Sequence, residues 1–241
     1  MADTHKEWLE QLEAQSKAKQ ESFMTGIAKK LGRSRVTEPP AHPFRGAPDF
    51  WRTFQWPLEE RIERFTEHFQ AAGGNVERLN NLADVKSFVV KLAGEMDARY
   101  IVRQQESELD CLGLEEALPE AHLSVWNSDP SENWKVRAAE ADIGIVMADY
   151  AAAYTGSITV LSAAHKGRSV SLLPTVLIAV IPLERLKTRL GEILIQFDDR
   201  GREELPAGIH FISGPSRSAD IENDLTIGVH GPGIVYALLV G

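Results

Sequence analysis

Val176-Leu177-Ile178-Ala179-Val180-Ile181 is apolar at every position, and a run without polar alternation fits a strand covered on both faces rather than one with a wet side. Such a strand needs helices packed above and below it, so the rest of the chain must supply amphipathic segments. It does. Leu58, Ile62, Phe65 and Phe69 recur at helical spacing before the stop at Gly73-Gly74, and the short run Asn75-Val76-Glu77-Arg78-Leu79 follows. Residues 83–96 carry Val85, Phe88, Val89 and Leu92 on one helical side, and 183–197 reads as another amphipathic helix. Strand-like runs fall at 99–102, 122–126, 143–147, 157–161, 176–181, 209–212 and 235–240. Their alternation with helices predicts an α/β layered fold around a largely parallel sheet.

Ahead of this domain lies an arm of different character. Residues 1–33 read as a helix, polar at first, with Phe23, Met24, Ile27 and Leu31 forming an apolar stripe in its second half. Such a stripe calls for cover by the domain or by a second subunit. Residues 33–57 are rich in proline and aromatics, which favours extended backbone lying against a surface. Phe44, Phe50, Trp51, Phe54 and Trp56 would otherwise be spent on solvent. The expected organisation is an arm at 1–56 and an α/β domain at 57–241.

Charge and cysteine usage exclude several function classes. The formal net charge of -9 repels nucleic acid and anionic membrane surfaces. The N-terminus lacks the apolar segment of a secretory signal and no apolar run reaches the roughly 20 residues that cross a bilayer, so the expectation is a cytoplasmic chain without a membrane span. Cys111 is the single cysteine. An intrachain disulfide is impossible, and a cluster held by about four thiolates cannot form within one chain. Its acidic surroundings, ELDCLGLEEAL, argue against a reactive thiolate and for a buried, structural residue. No G-x-G-x-x-G after a strand, no GK[ST], no H-E-x-x-H and no paired C-x-x-C is present, so the sequence supports no dinucleotide, nucleoside-triphosphate or zinc site.

Ligands of open α/β sheets collect where loops leave the strands, which directs attention to three polar loops. Gly214-Pro215-Ser216-Arg217-Ser218-Ala219-Asp220-Ile221-Glu222 lies between two apolar runs read as buried strands. It could open a short helix with Ser218 as N-cap and Asp220 and Glu222 at the positive end of the dipole. Ser216 and Arg217 beside such a terminus could receive a phosphate or carboxylate, or Arg217 could pair with Asp220 or Glu222. Thr155-Gly156-Ser157 precedes the apolar Ile158-Thr159-Val160-Leu161, where glycine permits an unusual backbone angle beside two hydroxyls; an ordinary turn explains it as well. His230, ahead of Gly231-Pro232-Gly233, reads as a hydrogen-bonding residue at a chain reversal more readily than as a catalyst.

Three segments taken in order, ADIGIVMADYAAAYTGSITV, SLLPTVLIAVIP and HFISGPSRSADIENDLTIGVHGP, resemble the signature segments of the LUD-domain family. The resemblance runs from about Pro57 to Gly241, and the RGAPDFW stretch of the arm resembles its lactate-utilization branch. It implies a three-layer α/β/α fold similar to the sugar-phosphate isomerase and CoA-transferase superfamily. It also implies a part in oxidising L-lactate to pyruvate beside companion proteins that carry the iron–sulfur clusters, with none in this chain. Carried over by this resemblance, Thr155, Gly156, Ser157, Ser216, Arg217, Asp220 and His230 are ligand-binding candidates, and no metal site is expected. Tyr154 stands where the family pattern has an acidic residue, so no carboxylate nucleophile is carried to that position. Beside this reading stand two others: a transferase or isomerase acting alone on a small CoA-linked or phosphorylated anion, and a regulatory or scaffolding module using the arm.

Overall fold

The computed structural model describes residues 2–38, 54–219 and 225–241. Two compact units divide the chain, Met1–Trp51 and Arg52–Gly241. The described part of the first is the helix α1 (Ala2–Lys30) and the turn after it, where Arg35 reaches back to pair with Glu21. Phe23, Met24, Ile27 and Leu31 are exposed. The expectations for Phe44, Phe50 and Trp51 lie outside the described residues.

Along the second unit the elements are α2 (Leu58–Ala71), β1 (Asn75–Leu79), α3 (Leu82–Glu95), β2 (Tyr100–Arg103), α4 (Ser107–Asp110), α5 (Leu114–Ala117), β3 (His122–Val125), α6 (Trp134–Glu140), β4 (Ile143–Met147), β5 (Tyr150–Ala152), β6 (Ser157–Leu161), α7 (Ser169–Leu172), β7 (Val176–Pro182), β8 (Leu186–Lys187), α8 (Leu190–Asp198), β9 (Ile209–Ile212), β10 (Arg217–Ala219), β11 (Leu225–Ile227) and β12 (Ile234–Val240). Six strands make one wholly parallel sheet in the order β1-β12-β7-β4-β2-β3. The six apolar residues of β7 are all buried because both faces are covered. Ile143, Ile145, Val176, Ile178 and Val180 point to the face closed by Val85, Val89 and Leu92 of α3 and by Leu109 and Leu114. Val146, Leu177, Ala179, Ile181 and Ala237 point to the other, closed by Ile62, Phe65 and Phe69 of α2 and by a second sheet. The expected α/β/α layering with a largely parallel sheet is therefore the fold found.

Of that second sheet, β8-β5-β6-β9, the strands β6 and β9 match the expected runs 157–161 and 209–212, while β5 and β8 and the separation from the main sheet were not legible in the sequence. The sheet is mixed: β5–β6 and β6–β9 are antiparallel and β5–β8 is parallel. It also corrects the helix expected over 183–197. Residues 183–185 form one 3-10 turn, 186–187 pair with β5, and the α-helix starts only at Leu190. Leu183, Leu186 and Leu190 imitate a helical stripe, but Leu183 and Leu186 enter the core from a turn and a strand. A second correction concerns the 214–222 loop. Arg217–Ala219 is a strand that pairs antiparallel with β11, so Ser218 caps no helix. Leu225, Thr226 and Ile227 are exposed rather than buried. Cys111 is exposed as well, because Leu109, Leu112 and Leu114 take the inward positions around it. Among the described residues no helix is long and apolar enough to cross a membrane.

Candidate functional site

Between β2 and β4 the chain reverses its direction of travel across the sheet. From β2 it moves outward to the edge strand β3, and from β4 it moves the other way, to β7 and then β12. Connections diverging from neighbouring strands leave an uncovered gap at their carboxyl ends, which is where open α/β sheets take ligands. Gln104 bridges it: its backbone N–H donates to Ile145 O (3.1 Å) and its side-chain oxygen accepts from Met147 N (3.0 Å).

Three strands deliver charged groups to this end. Glu106 follows β2, Asp149 follows β4, and Arg185 follows β7. Lys166 comes from the loop between β6 and α7, which is pinned over the gap: Gln105 N donates to His165 O (3.1 Å), Trp126 Nε1 to Ala164 O (3.2 Å), and Ala163 and Lys166 exchange backbone bonds. The Lys166 ammonium is buried between two carboxylates, 2.7 Å from Asp149 Oδ1 and 2.9 Å from Glu106 Oε1. Asp149 is itself held in place, accepting from Leu161 N through its other oxygen (2.8 Å). Arg185 donates to Ala148 O (2.8 Å) and to Glu108 Oε1 (3.1 Å). Glu108 sits below the usual carboxylate range because its own backbone N–H and the Ser107 hydroxyl bind the ionised form, with Arg185 adding to them.

Glu106, Asp149, Lys166 and Arg185 line a cavity of about 480 Å³ whose charged members are three cations, Lys166, Arg185 and Arg200, and three anions, Glu106, Asp149 and Glu204. Its formal charge is zero with the histidine neutral. Such a lining offers hydrogen bonds and local dipoles rather than a net field. Among the described residues no group of three or more His, Cys, Asp or Glu side chains could hold a metal ion.

The residues singled out from the sequence lie elsewhere. Thr155 and Gly156 form the turn of the β5–β6 hairpin and Ser157 opens β6; Ser157 Oγ meets Ser213 Oγ at 2.7 Å. Gly156, at φ +54°, lies so close to α2 that a Cβ would fall 2.7 Å from Phe69 N and 2.8 Å from the His68 side chain. Arg217 reaches the same helix end and donates to Ala72 O (2.6 Å). The two loops thus meet at the C-terminus of α2, where a guanidinium suits the unsatisfied carbonyls. Ser216 and His230 come together at the amino ends of β7 and β12, lining a cavity of about 250 Å³, and Ser216 N donates to Pro232 O (2.9 Å). Asp220 and Glu222 lie outside the described residues. No local signal marks Glu106, Asp149, Lys166 or Arg185, which sit in unremarkable sequence and converge only through the order of the strands.

The LUD domain family model matches residues 62–240, most of the chain and nearly all of its second unit. The chain belongs to the LUD-domain family. Among LUD-domain relatives, lactate utilization protein C of Halalkalibacterium halodurans is 35% identical over 222 residues, covering 89% of this chain and 94% of the relative. Lactate utilization protein C of Shouchella clausii is 33% identical over 216 residues, covering 88% and 93%. A crystal structure of a DUF162 family protein from Deinococcus radiodurans superposes with a TM-score of 0.56 over 77% of this chain and 99% of that one. At 18% identity that likeness speaks for the fold. The family resemblance expected from the three signature segments is borne out.

Proposed function

We propose that this chain is a component of a lactate utilization system and takes part in the oxidation of L-lactate to pyruvate without holding an iron–sulfur cluster of its own. One observation carries the reading: two relatives named lactate utilization protein C align with it over 88–89% of its length and 93–94% of theirs, so the match is to whole chains rather than to a shared segment. A single cysteine cannot supply the roughly four thiolates of a cluster, which supports a reading in which the redox centres sit on partner proteins. The neutral, hydrogen-bonding crevice at the β2/β4 switch point is the place for a small metabolite in this system.

Deleting the gene tests the reading. Growth on L-lactate as sole carbon source should be lost while growth on pyruvate persists, and the tagged protein should recover iron-containing partners while carrying no iron itself. Undiminished growth on L-lactate overturns it.

A further inference from the structure

Ser162 and His210 add a second kind of chemistry to the crevice. Ser162 follows β6 and His210 is the second residue of β9. The antiparallel ladder sets Val160 opposite His210 and Leu161 opposite Ile209, and Ser162 N donates to Gly208 O at 2.9 Å, so Ser162 and His210 are diagonal neighbours on one face where the sheet ends. Ser162 Oγ lies 3.0 Å from His210 Nε2. Gly208 is what makes room for the contact. Its backbone angle demands no glycine, yet a Cβ there would fall 2.8 Å from His210 Nε2 and 3.0 Å from Ser162 Oγ.

Burial pushes the His210 pKa below its ordinary value and the nearby Arg168 charge adds to that, which keeps the ring neutral near pH 7. A neutral imidazole can accept the serine proton or donate its own, so the hydroxyl in front of it can receive a hydrogen bond from an alcohol or give one to a carbonyl. Ser162 lines the crevice. Four residues on, and tied back by the Ala163–Lys166 backbone bridge, Lys166 has three N–H donors, of which Asp149 and Glu106 take two. Arg185, on the same lining, has five donors, of which Ala148 O and Glu108 take two.

We infer that the crevice binds a small 2-hydroxy or 2-oxo carboxylate, its carboxylate received by Lys166 and Arg185 and its 2-oxygen by Ser162, with His210 holding the proton shared with that hydroxyl. The inference rests on the proposed lactate reading and deepens it, since lactate is a 2-hydroxy carboxylate and pyruvate the matching 2-oxo carboxylate. The zero formal charge of the lining offers a monoanion no net attraction, so selectivity comes from the 2-oxygen.

Calorimetric titration of the full-length protein with L-lactate, pyruvate and propionate tests this, because propionate keeps the carboxylate and lacks the 2-oxygen. L-Lactate and pyruvate should bind about tenfold more tightly than propionate, the worth of one hydrogen bond. In Ser162→Ala that preference should vanish while propionate binding is unchanged, a result that a merely structural serine would not give. His210→Asn is the second variant and should lower the preference in the same direction, with melting temperature checked for both. Equal binding of propionate and L-lactate, a preference retained in both variants, or no binding of any of the three overturns the inference. The growth test separates the two claims: a chain needed for growth on L-lactate that binds none of these acids keeps the functional reading and loses this site. A chain that binds them with the stated preference but is dispensable for growth keeps the site and loses the function.

Discussion

Lys166 Nζ stands 2.7 Å from Asp149 Oδ1, with Glu106 Oε1 at 2.9 Å on its other side, and all three side chains are at least four-fifths shielded from solvent. One ammonium between two carboxylates leaves the trio with one negative charge, so removing the cation leaves two shielded anions facing each other. Both effects, the lost pairing and the new repulsion, act against folding. Lys166→Met should cost about 3–5 kcal/mol near neutral pH. Urea denaturation measures it. A loss below about 1 kcal/mol would mean that water, rather than Lys166, solvates the carboxylates.

The meeting of two loops at the end of α2 gives a contrast between backbone and side chain. Gly156→Ala forces a left-handed residue to carry a Cβ and drives that atom against the backbone of Phe69, a contact that no rotamer change relieves. Its expected cost is about 2 kcal/mol or more. Arg217→Gln removes one exposed cation from the carbonyl end of α2 and should cost only about 0.3–1 kcal/mol. Denaturant midpoints decide both. If Arg217→Gln leaves stability nearly untouched yet abolishes growth on L-lactate, Arg217 serves a ligand or partner as well as the helix.

His210 makes stability depend on pH with a defined sign. Burial, aided by Arg168, holds its folded pKa below the unfolded value of about 6.5. As pH falls through that value the unfolded chain takes up the proton first, so the folded state loses stability from about pH 6.5 downward until the folded group also titrates. His210→Asn removes this contribution. Melting curves of both proteins at about pH 7.5, 6.5 and 5.5 should show the gap between them changing in the direction that favours the variant at low pH. A gap independent of pH would mean that His210 is as well hydrated folded as unfolded.

Periodicity made the main sheet legible and left the site hidden, for physical reasons. The β7 run and the α2 and α3 stripes bury large apolar areas with regular spacing, and that spacing is the signal sequence reading detects. The second sheet escaped as a sheet because β5 and β8, three and two residues long, are too short to show a period, although β6 and β9 fall on runs read as strands. Loops rich in glycine, proline and hydroxyls attracted attention because those residues mark special backbone geometry, and geometry is what Gly156 and Gly214 supply at the end of α2. The His230 loop precedes β12 instead of following a parallel strand, which places it at the amino end of the sheet. Glu106, Asp149 and Lys166 are 43 and 17 residues apart along the chain, and only the reversal of strand order beside β2 brings them together.

Arg103 controls how the crevice is walled. Its guanidinium is buried at the carboxyl end of β2 and donates to Asp110 Oδ1 (2.6 Å) and Glu115 Oε1 (2.7 Å), fastening α4 and α5 beside the segment that carries Glu106 and Glu108. The partners are unlike in burial: the arginine side chain is 5% exposed, the carboxylates 54% and 44%. Removing the arginine therefore leaves two groups that water can reach, whereas removing both carboxylates strands a cation that it cannot. Asp110→Ala with Glu115→Ala should cost about 3–5 kcal/mol, and Arg103→Met about 1 kcal/mol. Burial raises the Glu115 pKa, but the hydrogen bonds and charge of Arg103 together with its own backbone N–H outweigh that and hold it below the ordinary carboxylate value. In Arg103→Met the Glu115 carboxyl should accordingly titrate at higher pH, which carboxyl-carbon NMR reads directly. Equal costs for the two variants, or an unmoved Glu115 titration, would mean that the packing of Leu109 and Leu114, rather than the ion pairs, holds this wall in place.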